Sequence, residues 1–243
     1  HYTKISTQPI CLSENYRFNE VCKNKIKDVE VTFENIYALD DKGYVWAWGY
    51  DNYGYVKQNS YEYIPVCINK LENNILYGKN ITKIYGNNKG VAVIDSDGKL
   101  YTSKTTNTEF ECLNTKYTEL QNIKFIKASI QQNKTMAIDS ENRLWVLGTI
   151  NDGVVNTADT PICLTTTEGS PLKDIKIVDC SCKCDTNIVL DENGRVWTFG
   201  GNCLGDGING SNQKKTICLS TLENNPLNGK TITKIYSCAN VYL

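Results

Sequence analysis

Tyr37 to Gly49 reads YALDDKGYVWAWG, and the chain repeats this thirteen-residue pattern in four copies. Each copy has an apolar run, Asp at the fourth position, Gly or Asn at the seventh and a large aromatic residue at the tenth. The pattern predicts a β-hairpin whose turn ends at a residue with positive φ. We interpret the Asp residues as turn formers and the aromatic residues as core, packed between neighbouring sheets. The other copies are Ala92 to Lys104 (AVIDSDGKLYTSK), Met136 to Gly148 (MAIDSENRLWVLG) and Ile188 to Gly200 (IVLDENGRVWTFG), which place Asp at 40, 95, 139 and 191 and the aromatic residue at 46, 101, 145 and 197.

Two further short strands recur around this hairpin. One has Cys between two other residues of an extended run, in five copies: Pro9 to Leu12, Pro65 to Ile68, Glu111 to Leu113, Pro161 to Leu164 and Ile217 to Leu219. The other follows an Ile-x-x-Ile/Val pattern that begins at Ile26, Ile81, Ile123, Ile175 and Ile232. The four intervals from Ile26 to Ile232 average 51.5 residues. A period near fifty built of short strands and turns is typical of a propeller.

The predicted fold is therefore all-β: a β-propeller of four-stranded blades, about five in number, in one repeat domain of 243 residues. The blades are expected at residues 25–69, 80–114, 122–165, 174–220, and at 230–243 together with 1–12. In the fifth blade, Tyr2-Thr3-Lys4 resembles Tyr101 to Lys104, and Pro9 to Leu12 is an unmatched Cys strand. The N-terminal strands are thus expected to complete the last blade. Two rivals stay open: donation of this strand to the next molecule, which would build a filament, and a fragment of a seven-bladed ring.

The repeats resemble those of the regulator of chromosome condensation family, also called alpha-tubulin-suppressor-like repeats. The resemblance lies in Gly43 to Gly49 (GYVWAWG), in Gly194 to Gly200 (GRVWTFG) and in traces of the loop that follows, at Asn52 to Val56 and Leu204 to Gly207. It implies a β-propeller, whose best-known member has seven blades and exchanges nucleotide on a Ran-type GTPase. The chain departs from the family where a His commonly precedes the second strand: these places hold Asn35, Gly90, Lys134 and Thr186.

Composition argues against several functions. The net charge of −1 gives no broad positive field for nucleic acid, and no apolar run approaches the ~20 residues of a spanning helix, so membrane insertion is not expected. His1 is the only histidine, and the sequence contains no phosphate-binding loop and no dinucleotide fingerprint. We therefore predict no enzyme activity, no catalytic residues, no cofactor and no metal site.

Cysteine is plentiful, with 11 residues. Cys180, Cys182 and Cys184 alternate along one predicted strand, which places their sulfurs on one face about 6.6 Å apart. This spacing does not suit chelation of a metal by adjacent pairs. We interpret them as buried or channel-lining thiols, with a disulfide to another cysteine such as Cys203 or Cys238 left open.

The chain starts at His1, is rich in Cys and carries Asn-x-Ser/Thr sequons at Asn80, Asn133 and Asn209. These features lean towards a secreted or cell-surface protein.

The candidate binding residues are Tyr53, Tyr55, Tyr61 and Tyr63, in a stretch from Tyr50 to Ile64 that is predicted to be a long loop at the rim. Rim loops on a rigid scaffold commonly carry binding, and Tyr is a frequent contact residue; the alternative is that these tyrosines cover a blade edge. The preferred function is a non-enzymatic scaffold that binds a protein partner. The alternatives are a guanine-nucleotide exchange factor-like regulator of a small GTPase and a structural protein that binds other copies of itself by strand exchange.

Overall fold

The structure is a computed structural model of a β-propeller, with four four-stranded antiparallel sheets in its described part. It describes residues 19–32, 35–51, 60–87, 90–104, 107–131, 134–183, 186–201, 204–208 and 215–236. In every sheet the strands follow one another in chain order, so each sheet is one blade. The predicted closure by residues 1–12 and 237–243 lies outside the described residues.

The strands are short, from three to eight residues, and each blade uses four consecutive ones. Blade 1 contains β1 (Ile26–Val31), β2 (Asn35–Asp40), β3 (Val45–Asp51) and β4 (Ser60–Cys67). Blade 2 contains β5 (Ile81–Asn87), β6 (Gly90–Asp95), β7 (Leu100–Lys104) and β8 (Asn107–Cys112). Blade 3 contains β9 (Phe125–Gln131), β10 (Lys134–Asp139), β11 (Leu144–Thr149) and β12 (Thr157–Cys163). Blade 4 contains β13 (Ile177–Lys183), β14 (Thr186–Asp191), β15 (Val196–Phe199) and β16 (Thr216–Cys218). Among the described residues two short α-helices lie outside the sheets, α1 (Asn19–Cys22) and α2 (Leu113–Lys116), together with 3-10 turns at Ile68–Lys70, Thr118–Leu120 and Leu219–Thr221.

Two details of the predicted strands were wrong. Ile123 and Ile175 do not begin strands, because their NH groups close turns onto Leu120 and Leu172, and the strands start two residues later at Phe125 and Ile177. The Cys strands also end at the Cys rather than running through it. The next residue enters a helical turn, as at Ile68–Lys70.

Each hairpin turn is held by its Asp, which is buried in every described blade. In blade 3, Oδ1 of Asp139 accepts hydrogen bonds from the backbone NH groups of Glu141 (2.9 Å) and Arg143 (3.0 Å). Oδ2 accepts from Nε1 of Trp145 (2.8 Å) and from Nε of Arg143 (2.7 Å). The prediction of a turn-capping role is confirmed, and the structure adds the bond to the aromatic residue. The same bond joins Asp40 to Trp46 (3.0 Å), Asp95 to the hydroxyl of Tyr101 (2.8 Å) and Asp191 to Trp197 (2.9 Å).

The turn also joins each blade to the next one. The carbonyl of Gly43 accepts the backbone NH of Ile81, the first residue of β5, at 3.1 Å. Gly43 has φ of +80°, and a Cβ there would lie 1.9 Å from Oδ1 of Asn80, so the close approach requires glycine. The equivalent bonds run from Phe125 to Gly98 (2.8 Å), from Ile177 to Asn142 (2.8 Å) and from Ile232 to Gly194 (2.9 Å).

A buried polar residue two positions after the strand Cys completes each junction. Oδ1 of Asn69 accepts the NH of Val45 (3.0 Å), while its Nδ2 donates to the carbonyls of Gly43 and Lys79 (both 2.8 Å). Asn69 thus ties the fourth strand to the third strand and to the linker. Asn114, Thr165 and Ser220 accept the equivalent NH in the other blades, at 2.8, 3.3 and 3.0 Å.

The apolar core lies between the blades rather than at the centre of the ring. Tyr101 packs between blades 1 and 2, Trp145 between blades 2 and 3, and Trp197 between blades 3 and 4. The expected packing between sheets is confirmed for these three. Trp145 and Trp197 are only partly buried, whereas Trp46 and Tyr101 are buried.

We predict that Trp145→Phe destabilises the protein by about 1–2 kcal/mol more than Trp145→Tyr, because Phe cannot donate to the buried Asp139. Tyr101 fills this position in blade 2 and donates to Asp95, so Tyr is the natural control. Trp145→Ala should cost about 3 kcal/mol, the low end of large-to-small changes, because the ring is only partly buried. Urea unfolding measures all three, and equal stability of the Tyr and Phe variants would contradict the role of the bond.

Acid should weaken the hydrogen bonds that Asp191 accepts at the hairpin turn of blade 4. Burial alone would raise the pKa of Asp191, but hydrogen bonds from Trp197 and Arg195 outweigh it and hold the pKa below its ordinary value. A carboxylate whose pKa is lowered on folding stabilises the protein above its unfolded pKa of about 3.9, and the stabilisation is lost as the pH falls through the folded pKa.

We predict that the free energy of unfolding falls less steeply between pH 5 and pH 3 in Asp191→Asn than in the parent. Asp97→Asn, at an exposed turn position, serves as the control and should keep the parental slope. Urea unfolding at each pH provides the measurement, and parallel curves for the Asp191 variant and the parent would contradict the assignment.

Candidate interaction site

The first strands of successive blades contact one another and surround the centre of the propeller. They line a cavity of about 660 Å³ together with residues 234–236. The lining is largely polar and charged, with Asp28 and Glu30 from β1, Lys127 from β9, Asp179 from β13 and Lys234.

One charged residue stands two residues after the start of each of the four first strands, and Lys234 stands two residues after Ile232, where no strand is formed. The series reads Asp28, Lys83, Lys127, Asp179 and Lys234, and the strand pairings align the first four, because each lies opposite the residue that precedes the turn Asp. Lys127 and Asp179 form an ion pair at 2.5 Å between blades 3 and 4. Sequence reasoning missed this series, because the Ile-x-x-Ile pattern starts two residues too early in blades 3 and 4 and so does not align Lys127 and Asp179 with the others.

The residue two positions after each charged residue of a first strand bridges neighbouring blades. The Tyr85 hydroxyl donates to the carbonyl of Ile126 at 3.4 Å, and Oγ of Ser129 accepts the NH of Cys182 at 2.9 Å. Burial raises the pKa of Glu30, and a hydrogen bond from the backbone NH of Gly86 partly offsets this effect. These side chains bind the first strands to one another, while Asp28, Lys127, Asp179 and Lys234 of the charged series line the cavity.

Cys180 and Cys182 lie on one face of β13, as predicted, and are buried free thiols in the cluster between blades 3 and 4. Burial raises the pKa of both, so they are protonated at neutral pH and are not nucleophiles. Burial likewise raises the pKa of Cys67 to about 11. Cys184, Cys203 and Cys238 lie outside the described residues.

The predicted rim loop is shorter than Tyr50 to Ile64, because β3 and β4 extend into it. Tyr61 lies in β4 opposite Tyr50, and Tyr63 follows in the same strand, so the prediction of a loop at these two residues was wrong. Tyr53 and Tyr55 lie outside the described residues. The structure thus places two of the four tyrosines on β4, near the end of the hairpin that β3 and β4 form in blade 1.

Within the described ranges, no three His, Cys, Asp or Glu side chains converge as a metal site would require. Nor does any helix there have the length and apolar character to cross a membrane.

Comparison with known proteins gives relatives in fold only. No family model matches the sequence, and no curated protein matches it. Among solved structures, human WBSCR16 is similar with a TM-score of 0.65 and 17% identity, over 80% of this chain and 53% of that one. Yeast RCC1 (Prp20), in its complex with Kap60, is similar with a TM-score of 0.60 and 15% identity, over 82% of this chain and 50% of that one. The chain therefore spans about half the length of these proteins.

Four four-stranded sheets, joined to one another by hydrogen bonds around a central cavity, define the class of the protein: it is a β-propeller. This fold is similar to the folds of WBSCR16 and Prp20.

We predict that Lys127→Met destabilises the protein by about 1–3 kcal/mol, because it leaves the buried carboxylate of Asp179 without its cation. Lys83→Met is the matched control: the same position in blade 2, exposed and outside any ion pair of the described residues. The control should stay within about 0.5 kcal/mol of the parent. Thermal and urea unfolding compare the two, and equal losses would show that the ion pair contributes nothing.

Proposed function

We propose that the chain is a non-enzymatic β-propeller scaffold that binds a protein partner through the rim of its blades. The binding surface that we assign is the end of the blade 1 hairpin, which carries Tyr53, Tyr55, Tyr61 and Tyr63. Tyr supplies large amphipathic contact area at little cost in conformational entropy, which suits a protein interface.

This proposal rests on the length of the hairpin that β3 and β4 form in blade 1. β3 and β15 start at equivalent residues, Val45 and Val196, whose NH groups bond to Asn69 and Ser220. β3 then runs to Asp51, whereas β15 ends at Phe199, the equivalent of Trp48. Three additional residues carry the end of the blade 1 hairpin about 10 Å further than its blade 4 counterpart.

The blades next to this hairpin are joined by backbone hydrogen bonds and by buried polar residues, so they can serve as a rigid support. Loops on rigid supports commonly carry binding. Yeast RCC1 (Prp20), a protein of similar fold, binds Kap60. This likeness of fold supports a binding role for the present chain without indicating its partner.

We predict that replacing Tyr53, Tyr55, Tyr61 and Tyr63 with Ser changes Tm by no more than a few degrees and abolishes capture of a protein partner. Tyr77→Ser, at an exposed tyrosine of the linker after blade 1, is the control and should capture the parental set. The measurement is affinity capture with quantitative mass spectrometry, together with thermal unfolding. If the quadruple variant captures the same proteins as the parent, the interface lies elsewhere on the chain. If the variant unfolds globally, the four tyrosines are core residues and not binding residues.

The resemblance to the regulator of chromosome condensation family keeps nucleotide exchange as the second candidate. Release of a fluorescent guanine nucleotide from a Ran-type GTPase tests it directly, and we expect no acceleration by this chain. A clear acceleration would replace the scaffold proposal.

A further inference from the structure

Lysines surround one end of the central cavity. Each described first strand begins beside the hairpin turn of its own blade, because Ile26 pairs with the turn Asp of blade 1 and Ile81 pairs with that of blade 2. Since the first strands surround the centre, the segments that lead into them surround one end of the cavity. Ile232 occupies the same position after blade 4, because its NH bonds to the carbonyl of Gly194 in the turn of that blade. We call this end of the cavity the lysine mouth and define it as residues 24–28, 79–83, 123–127, 175–179 and 230–234.

The lysine mouth is basic, although the chain as a whole carries a net charge of −1. Its five segments hold nine lysines and two aspartates, a net charge of +7, which leaves −8 on the rest of the chain. Lys127 is paired with Asp179, and Lys176 lies 3.9 Å from Glu192. Six of the other lysines form no ion pair with a described residue: Lys25, Lys27, Lys79, Lys83, Lys124 and Lys230. Like charges gathered in this way repel one another, so the mouth favours an anionic ligand.

A β-bulge in each first strand adds exposed side chains to the mouth. The extra residue is the second of the strand in all four described blades, and it is exposed in each: Lys27, Thr82, Ile126 and Val178. Ile126 and Val178 are 47% and 41% exposed although they are apolar. A bulge re-aims side chains, and bulges are frequent next to functional sites. The mouth therefore presents apolar contacts among its cations.

Between blades 2 and 3 the mouth contains a groove of about 340 Å³. Lys83, Lys124 and Ile126 line this groove together. Of the two carboxylates in its lining, Asp95 is buried and bonded within its own turn, whereas Asp97 is exposed. The two exposed lysines therefore outnumber the exposed carboxylate. One short chain segment in the groove can reach both cations and the apolar side chain.

We propose that the lysine mouth binds an acidic peptide segment of a partner protein, with carboxylates on Lys83 and Lys124 and an apolar residue on Ile126. Such a segment supplies the counter-charges that the mouth lacks and covers its exposed apolar side chains. The charge of −8 on the rest of the chain favours a short segment. A nucleic acid would extend past the mouth and meet this negative charge, whereas a peptide loop or tail meets only the mouth.

The lysine mouth is distinct from the binding surface at the end of the blade 1 hairpin. β3 starts at the hairpin turn and leads away from it to Asp51, so the end of the hairpin that β3 and β4 form lies on the opposite face. The two surfaces can be tested independently, because the variant with Ser at the four tyrosines should bind an acidic peptide as the parent does.

The test is fluorescence anisotropy of the full chain with a labelled ten-residue peptide of glutamate and leucine. Lys83→Gln combined with Lys124→Gln removes two cations that form no ion pair, so we expect binding to weaken about tenfold while Tm stays at the parental value. Lys42→Gln combined with Lys99→Gln is the matched control, because it removes the same charge from the hairpin turns of blades 1 and 2, outside the mouth. The control should bind the peptide within about twofold of the parent.

A single substitution tests the apolar contact. Ile126→Ser should weaken binding of the glutamate–leucine peptide about threefold and leave binding of a glutamate–serine peptide unchanged, because only leucine gains from contact with Ile126.

The proposal is overturned if the parent binds neither peptide, or if both double variants weaken binding equally, since only the net charge would then matter. Single-stranded DNA of equal charge that binds the mouth more tightly than the peptide would overturn it in favour of nucleic acid. If the variant of Lys83 and Lys124 does not fold, Lys83→Gln and Lys124→Gln are each compared with Lys42→Gln in the same assay, with the same order expected.

Discussion

The fold depends on one carboxylate in each blade. A buried Asp at the hairpin turn accepts two backbone NH groups through one oxygen and the aromatic side chain of the next strand through the other. Burying a charge without partners is costly, and this arrangement satisfies it with three or four donors. Because the same carboxylate fixes the turn and the aromatic ring, it sets the geometry of the hairpin and the packing between blades together.

That turn then determines how blades follow one another. Its Gly or Asn adopts positive φ and presents a carbonyl to the first strand of the next blade, and a buried Asn, Thr or Ser after the strand Cys ties the fourth strand to the third. The junctions are therefore specified by backbone hydrogen bonds rather than by apolar contact alone. This explains how linkers and outer loops of different length are accommodated by one repeating scaffold.

The centre of the propeller is polar because of the same repetition. Side chains alternate along a strand, so the first strands of blades 2 and 4 bury Ile84 and Cys180 in the junctions, while Asp28, Lys127 and Asp179 line the cavity. Opposite charges on neighbouring blades then meet, as Lys127 and Asp179 do. The cysteines lie on the junction side, where burial keeps the described thiols of β13 protonated and inert.

The sequence by itself determined the all-β class, the four hairpins and the repeat near fifty residues, because turn chemistry and the spacing of Asp, Gly and aromatic residues are local properties. It did not determine where the first strands of blades 3 and 4 begin, since Ile123 and Ile175 are as apolar as the residues that do begin strands, and only the bond to the preceding turn selects Phe125 and Ile177. It also placed Tyr61 and Tyr63 in a loop, because strand length there follows from cross-strand pairing rather than from composition. The meeting of Lys127 with Asp179 and the gathering of lysines at one end of the cavity depend on which blades are neighbours, and that was decided by the tertiary structure alone.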